Sequence, residues 1–129
     1  MSESKRDQDR DRATEAFRRW ARAGCPGADE IRGNTKDAAD MKACASVFVT
    51  LWAMQRGRKN FAAEDIARAV REIYMVEPSR PIRPGDVTLR VRRLAVERYV
   101  SERMVYYWLA MARRMWILAR VDAGLESFQ

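Results

Sequence analysis

The sequence predicts an all-α protein of about five helices, and three observations carry that expectation. Apolar residues recur at three- and four-residue spacing in one segment after another, which is the period of a helix face. Glycine and proline are few, 6 and 4, and they fall between those segments rather than inside them. Hydrophobic residues make up 47% of 129, enough for one domain with a real core. That domain is expected over residues 13–129, behind a flexible lead-in at 1–12. The lead-in alternates charges almost residue by residue (ESKRDQDRDR) and offers little to bury.

The first helix is expected at about Arg12 to Ala23, with Ala13, Phe17, Trp20 and Ala21 on one side. Cys25-Pro26-Gly27 should end it, since proline cannot continue a helix and glycine accepts the reversed turn. Asn34 or Thr35 starts the second, with Asp37 and Asp40 near its positive end. From Ala43 to Met54 only Ser46 and Thr50 are polar. Those twelve residues fall short of the roughly 20 that a membrane span needs. They predict a central helix packed nearly all round, with Lys42, Ser46 and Thr50 as its least buried edge. Gly57 breaks it, and Arg56, Arg58 and Lys59 gather at its negative end.

A third helix is predicted over Ala62 to Met75, burying Ile66, Ala69, Val70, Ile73 and Tyr74. Arg68 is expected to pair with Glu64 and Asp65 one turn away. Glu77 to Pro84 reads as an extended connection, because each proline also pushes the residue before it out of the helical region. Asp86 is the expected cap of the fourth helix, whose core stripe is Val87, Val91, Leu94 and Ala95. Arg90, Arg93 and Glu97 should point away. The fifth helix buries Val105, Trp108, Leu109, Ala112 and Trp116 on one arc. Opposite lie Arg103, Tyr107, Ala110, Arg114 and, at the edge, Ile117.

Between the last two helices the spacing is that of a helix-turn-helix. Leu94-Ala95 closes the supporting helix, Val100-Ser101 ends the turn and caps the next helix, and Val105 and Leu109 are its buried positions. These residues, with Tyr99 and Met104, resemble the pattern L-A-x-x-x-G-V-S-x-x-T-V-x-x-x-L of helix-turn-helix transcription regulators. Tyr99 stands where that pattern has glycine, so the turn must either hold a non-glycine residue at an awkward dihedral or take another shape. Met104 replaces the threonine, and Tyr107 sits where a basic or polar reader is common. The run from about residue 80 to 121 is also similar to the C-terminal part of phage late-gene regulators of the ArpU/RinA type. That group in turn resembles the promoter-reading motif of sigma factors. The resemblance implies a phage- or prophage-derived regulator of transcription. Few residues follow Val121, so the motif, at about 85–121, is expected to be plainly trihelical, without a full wing.

Charge agrees with a polyanionic partner. The net charge is +7, from 25 basic and 18 acidic residues. Residues 80–129 hold ten arginines against five acids, whereas 61–79 hold two against four. Double-stranded DNA is the expected partner. Arg90 and Arg93 on the supporting helix are candidates for phosphate contact. Ser101, Glu102, Arg103, Tyr106 and Tyr107 open the reading helix in the major groove. Arg103 suits a guanine edge and Glu102 a cytosine amine. Arg113 and Arg114, further along, suit the DNA backbone. Both tyrosines have a packing alternative, in the core boundary or a protein interface.

Met104, Met111 and Met115 form an adaptable apolar strip on the same helix. It either packs on the second helix or forms an interface, to a second copy of the chain or to RNA polymerase. A protein-interaction module on the same scaffold, such as a phage accessory or inhibitor protein, is the alternative function.

An enzyme is not expected. Without histidine there is no imidazole base, no Ser-His-Asp triad and few routes to a zinc site. No glycine-rich phosphate loop or paired-carboxylate motif appears, so neither metal nor cofactor is expected. Cys25 and Cys44 are not spaced as C-x-x-C and are expected to be reduced thiols. No charged-then-apolar signal opens the chain, which predicts a cytoplasmic protein.

Overall fold

A computed structural model describes residues 5–57 and 62–122. All regular structure among these residues is helical, in the order α1 (Lys5–Arg22), a 3-10 turn (Ala28–Glu30), α2 (Lys36–Gly57), α3 (Ala63–Ala69), α4 (Asp86–Arg98) and α5 (Glu102–Asp122). A π-helical turn, Val70–Tyr74, continues α3 directly. The expected charged cluster at Arg58 and Lys59 lies outside the described residues, as does the tail beyond Asp122.

α5 is the central element, in contact with α1, α2, α3 and α4. Its periodicity explains why. Val105, Trp108, Leu109, Ala112 and Trp116 are all buried on one arc. They meet Val91 and Leu94 of α4, Ile66, Val70 and Ile73 of the third helix, Val47 and Leu51 of α2, and Phe17 of α1 in one core. Phe48 adds an edge-on contact to Phe17 (centroids 6.1 Å apart) and stacks on Trp20 at 5.1 Å.

Helix ends follow local chemistry with three departures from expectation. The Thr35 hydroxyl accepts the Ala38 N–H (3.1 Å) and caps α2 as anticipated. α1 starts at Lys5, so the charged segment expected as lead-in is helical from that residue onward. At the other end the reversed turn falls on Gly24 (φ 85°), not Gly27, and the Cys25 N–H reaches back to the Trp20 carbonyl at 3.0 Å. Asp86 likewise does not cap its own helix. Its carboxylate accepts the Arg83 N–H (2.8 Å), and Gly85, at φ 90°, makes the turn into α4.

α2 corrects the expectation of all-round burial. Ala43, Cys44, Val47 and Leu51 face the core, whereas Val49 and Trp52 are exposed along with Ser46 and Thr50. α2 packs on α1, α3 and α5, but its remaining side is left to solvent, however apolar its sequence. Arg56 lies over the Trp52 ring at 4.7 Å instead of serving the helix end alone. Lys42 is half-buried, its ammonium 3.4 Å from the Gly33 carbonyl. Arg68 pairs with Glu72 and Glu97, not with Glu64 and Asp65, while Asp65 takes Arg98. The Glu72 hydrogen bond raises the Arg68 pKa above its ordinary value, with smaller help from Glu97 and Asp65.

Two buried arginines, neither anticipated, lock the helices together. Arg18, 4% exposed, donates to the carbonyls of Tyr74 (2.7 Å), Val76 (3.4 Å), Glu77 (3.0 Å) and Arg80. Its guanidinium thus satisfies the negative C-terminal end of the third helix and fixes the connection after it. Burial, and then the nearby Arg90 charge, lower its pKa. Arg120 forms a buried ion pair with Asp40, which also meets Arg12 at 3.5 Å. The Trp116 indole donates to the Asp40 carbonyl (3.1 Å), and Arg12 and Arg120 each sit 5.5 Å from its ring centre. α1, α2 and α5 meet at this knot.

Candidate nucleic-acid interface

The connection between α4 and α5 is built by three residues. Tyr99 takes the left-handed conformation at φ 55°, ψ 43°, so the turn keeps the geometry in which glycine is usual and tyrosine bears the strain. The Val100 N–H closes back on the Ala95 carbonyl at 3.0 Å, the bond that ends a helix around a left-handed residue. Ser101 then caps α5, its hydroxyl accepting the Met104 N–H at 3.1 Å. Val100 is half-buried against the core, and the Tyr99 side chain is 95% exposed.

Beyond this turn the candidate residues divide. Arg103, Tyr107, Ala110 and Arg114 are exposed and recur along one stripe, opposite the buried arc. Arg103 pairs with no acid among the described residues. Arg92 and Arg93 are exposed on α4. Arg92 sits 3.6 Å from Glu102, an exposed ion pair across the turn worth only tenths of a kcal/mol. Glu102 therefore starts with a partner, though one easily exchanged.

Three candidates point elsewhere. Arg90, expected to face outward, is turned in and donates to the Ile73 carbonyl at 2.9 Å, joining Arg18 at the end of the third helix. Arg113 bends toward the core and donates to the Tyr74 hydroxyl at 2.7 Å. Tyr106 is partly exposed but lines a cleft against α1 and the 75–85 connection. The methionine strip also splits. Met111 and Met115 pack against the core, while Met104, at the start of the helix, stays exposed.

No protein-family model, curated protein or solved structure matches this chain. The site therefore rests on its own geometry. Among the described residues, no cluster of acids and cysteines could hold a metal ion, and no helix is long and apolar enough to cross a membrane. Cys25 is exposed and Cys44 buried, both as free thiols. Burial raises the pKa of Cys44, and partial desolvation of its thiol raises that of Cys25.

Proposed function

We propose that the chain is a DNA-binding regulator of transcription that sets the first half of α5 in the major groove. The observation that carries this reading is the outward stripe of Arg103, Tyr107 and Arg114, directly after a tight turn capped by Ser101. Its back is anchored in the core by Val105 and Leu109, so the readers stand on a rigid support. Arg103 would read a base edge, bidentately to guanine where one is present. Arg93, with Arg92 beside it, would hold phosphate, which gives affinity without sequence information. Arg90 and Arg113 support the fold in this reading.

The test is retention of random duplex DNA at two salt concentrations, with the retained fraction sequenced. Enriched sites and steep salt dependence are expected. Arg103→Ala should weaken an enriched site more than random DNA. Arg93→Ala should weaken both alike and lower the salt slope by about one. No retention at low salt, or equal losses for the two variants, refutes the assignment.

A second reading has its own support. Val96 (75% exposed), Tyr99, Met104 and Tyr107 (57%) place apolar surface around the same turn. Such a surface suits a protein partner, a second copy of the chain or RNA polymerase included. Failure of DNA binding would turn the search for function to that surface.

A further inference from the structure

A cleft of about 790 Å³ lies away from the stripe, between α1, the 75–85 connection and the inner flank of α5. That size falls within the range of small-molecule sites, roughly 300–1,000 Å³. Its lining has two kinds of chemistry. Pro81, Ile82, Val87, Tyr106 and Leu109 make an apolar bed. Around it stand five arginines, at 10, 18, 22, 80 and 113, against two acids, Asp11 and Glu15.

The arginines are not equivalent. Arg10 meets Asp11 at 3.3 Å, Arg22 meets Glu15 at 2.7 Å and Arg80 meets Glu77 at 2.9 Å. Arg18 is held by backbone carbonyls. Arg113 is half-buried, and the partner that fixes it is the neutral hydroxyl of Tyr74; no carboxylate pairs with it among the described residues. A half-buried guanidinium without an acid is poorly compensated, and its fork still has donors to offer. The Tyr74 bond has already oriented it, so an arriving anion meets a preorganised group at the edge of an apolar pocket.

We propose that this cleft binds a small apolar anion, whose ring or branched body rests on Ile82, Val87 and Tyr106 while its carboxylate or sulfonate bonds Arg113. Inorganic phosphate or a sugar–phosphate chain lacks the apolar body that the bed requires. The site is independent of the DNA interface, because the ligand contacts the inner flank of α5 and not the stripe of Arg103 and Arg114.

The test uses two probes on the full chain: 1-anilinonaphthalene-8-sulfonate and N-phenyl-1-naphthylamine, the same body without the sulfonate. The expected result is one saturable site per chain for the sulfonate, with the neutral probe at least about tenfold weaker. Arg113→Met should lower sulfonate affinity at least about tenfold and leave the neutral probe unchanged, while Arg113→Lys retains part of the preference. Arg71→Met, which removes an exposed arginine elsewhere, should change neither. Val87→Trp, which fills the bed, should abolish both. Helicity and a cooperative thermal transition establish that each variant is folded. If Arg113→Met fails to fold, the two-probe comparison on the unaltered chain and on Arg113→Lys decides. Equal affinity for the two probes, unsaturable binding, no binding, or an unchanged sulfonate affinity in Arg113→Met overturns the proposal.

Discussion

Replacing Arg18 by methionine should be among the most damaging single changes away from the apolar core. Methionine keeps the unbranched stem along α1 and removes only the guanidinium. Four carbonyls then lose a charged donor: Tyr74, Val76, Glu77 and Arg80. They do not weigh equally. Glu77 and Arg80 are exposed residues and their bonds to Arg18 only part-buried, and the Val76 contact is long at 3.4 Å. Tyr74 is buried and its bond short, so its carbonyl loses most, about 1–3 kcal/mol for an unsatisfied buried acceptor. Adding a reduced contribution from the others gives about 2–4 kcal/mol in all. For a chain of this length that lowers the melting temperature by roughly 6–15 °C. Circular dichroism on heating measures it. Arg19→Met, which breaks surface ion pairs with Asp37 and Glu15, serves as the comparison and should cost at most about 1 kcal/mol. Amide exchange should also quicken selectively in the 74–80 connection. If Arg18→Met melts within about 0.5 kcal/mol of the unaltered protein, the guanidinium does not clasp the connection to the third helix.

Three further outcomes are expected. Tyr99→Gly should stabilise by about 0.5–1 kcal/mol, because left-handed strain disappears and an exposed side chain takes no packing with it; a lower melting temperature would mean that Tyr99 holds the turn by a contact. Leu109→Ala, at a fully buried site in the middle of α5, should cost about 2–5 kcal/mol by chemical denaturation, and an unchanged midpoint would contradict the helical register. Under native conditions iodoacetamide should modify Cys25 and spare Cys44 by mass spectrometry. Partial desolvation raises the Cys25 pKa, so its thiolate fraction, and with it the rate, should climb into the alkaline range; prior labelling of Cys44 would refute its burial.

What the sequence made legible was periodic. The buried arc of α5, the stripe of the third helix and the Thr35 cap all follow from side-chain spacing within one element, and spacing is local information. The Tyr99 turn was legible for the same reason: the residues on either side specify where the chain must reverse, and tyrosine left only the question of who bears the strain. The arginines were less legible. A helical wheel ranks every arginine as polar and outward, yet Arg18 reaches carbonyls 56 to 62 positions away, which no local pattern encodes. A partial signal existed in α5. Arg113 lies four residues after Leu109, and Arg120 four after Trp116, which places both on the buried side of the helix rather than on the stripe of Arg103 and Arg114. The apolar run of α2 misled for the converse reason, since composition records which residues could be buried but not how many neighbours the helix will have.

The same division of arginines bears on how far net charge can be used as evidence for a polyanion. Of the ten arginines after residue 79, Arg90, Arg98, Arg113 and Arg120 bind carbonyls, a phenol or carboxylates of their own chain. Those charges raise the net total but are directed inward, and an incoming phosphate would have to displace their partners first. Arg93, Arg103 and Arg114 remain exposed on α4 and α5, with Arg92 loosely paired beside them; Arg80, paired with Glu77, and the exposed Arg83 lie apart on the connection before α4. The electrostatic footprint is therefore smaller than +7 suggests. A salt slope set by about three or four released counterions fits such a surface better than one set by ten. A slope that steep would require the inward arginines to turn out on binding, and with Arg18 and Arg90 tied to the end of the third helix that would cost the fold its clasp.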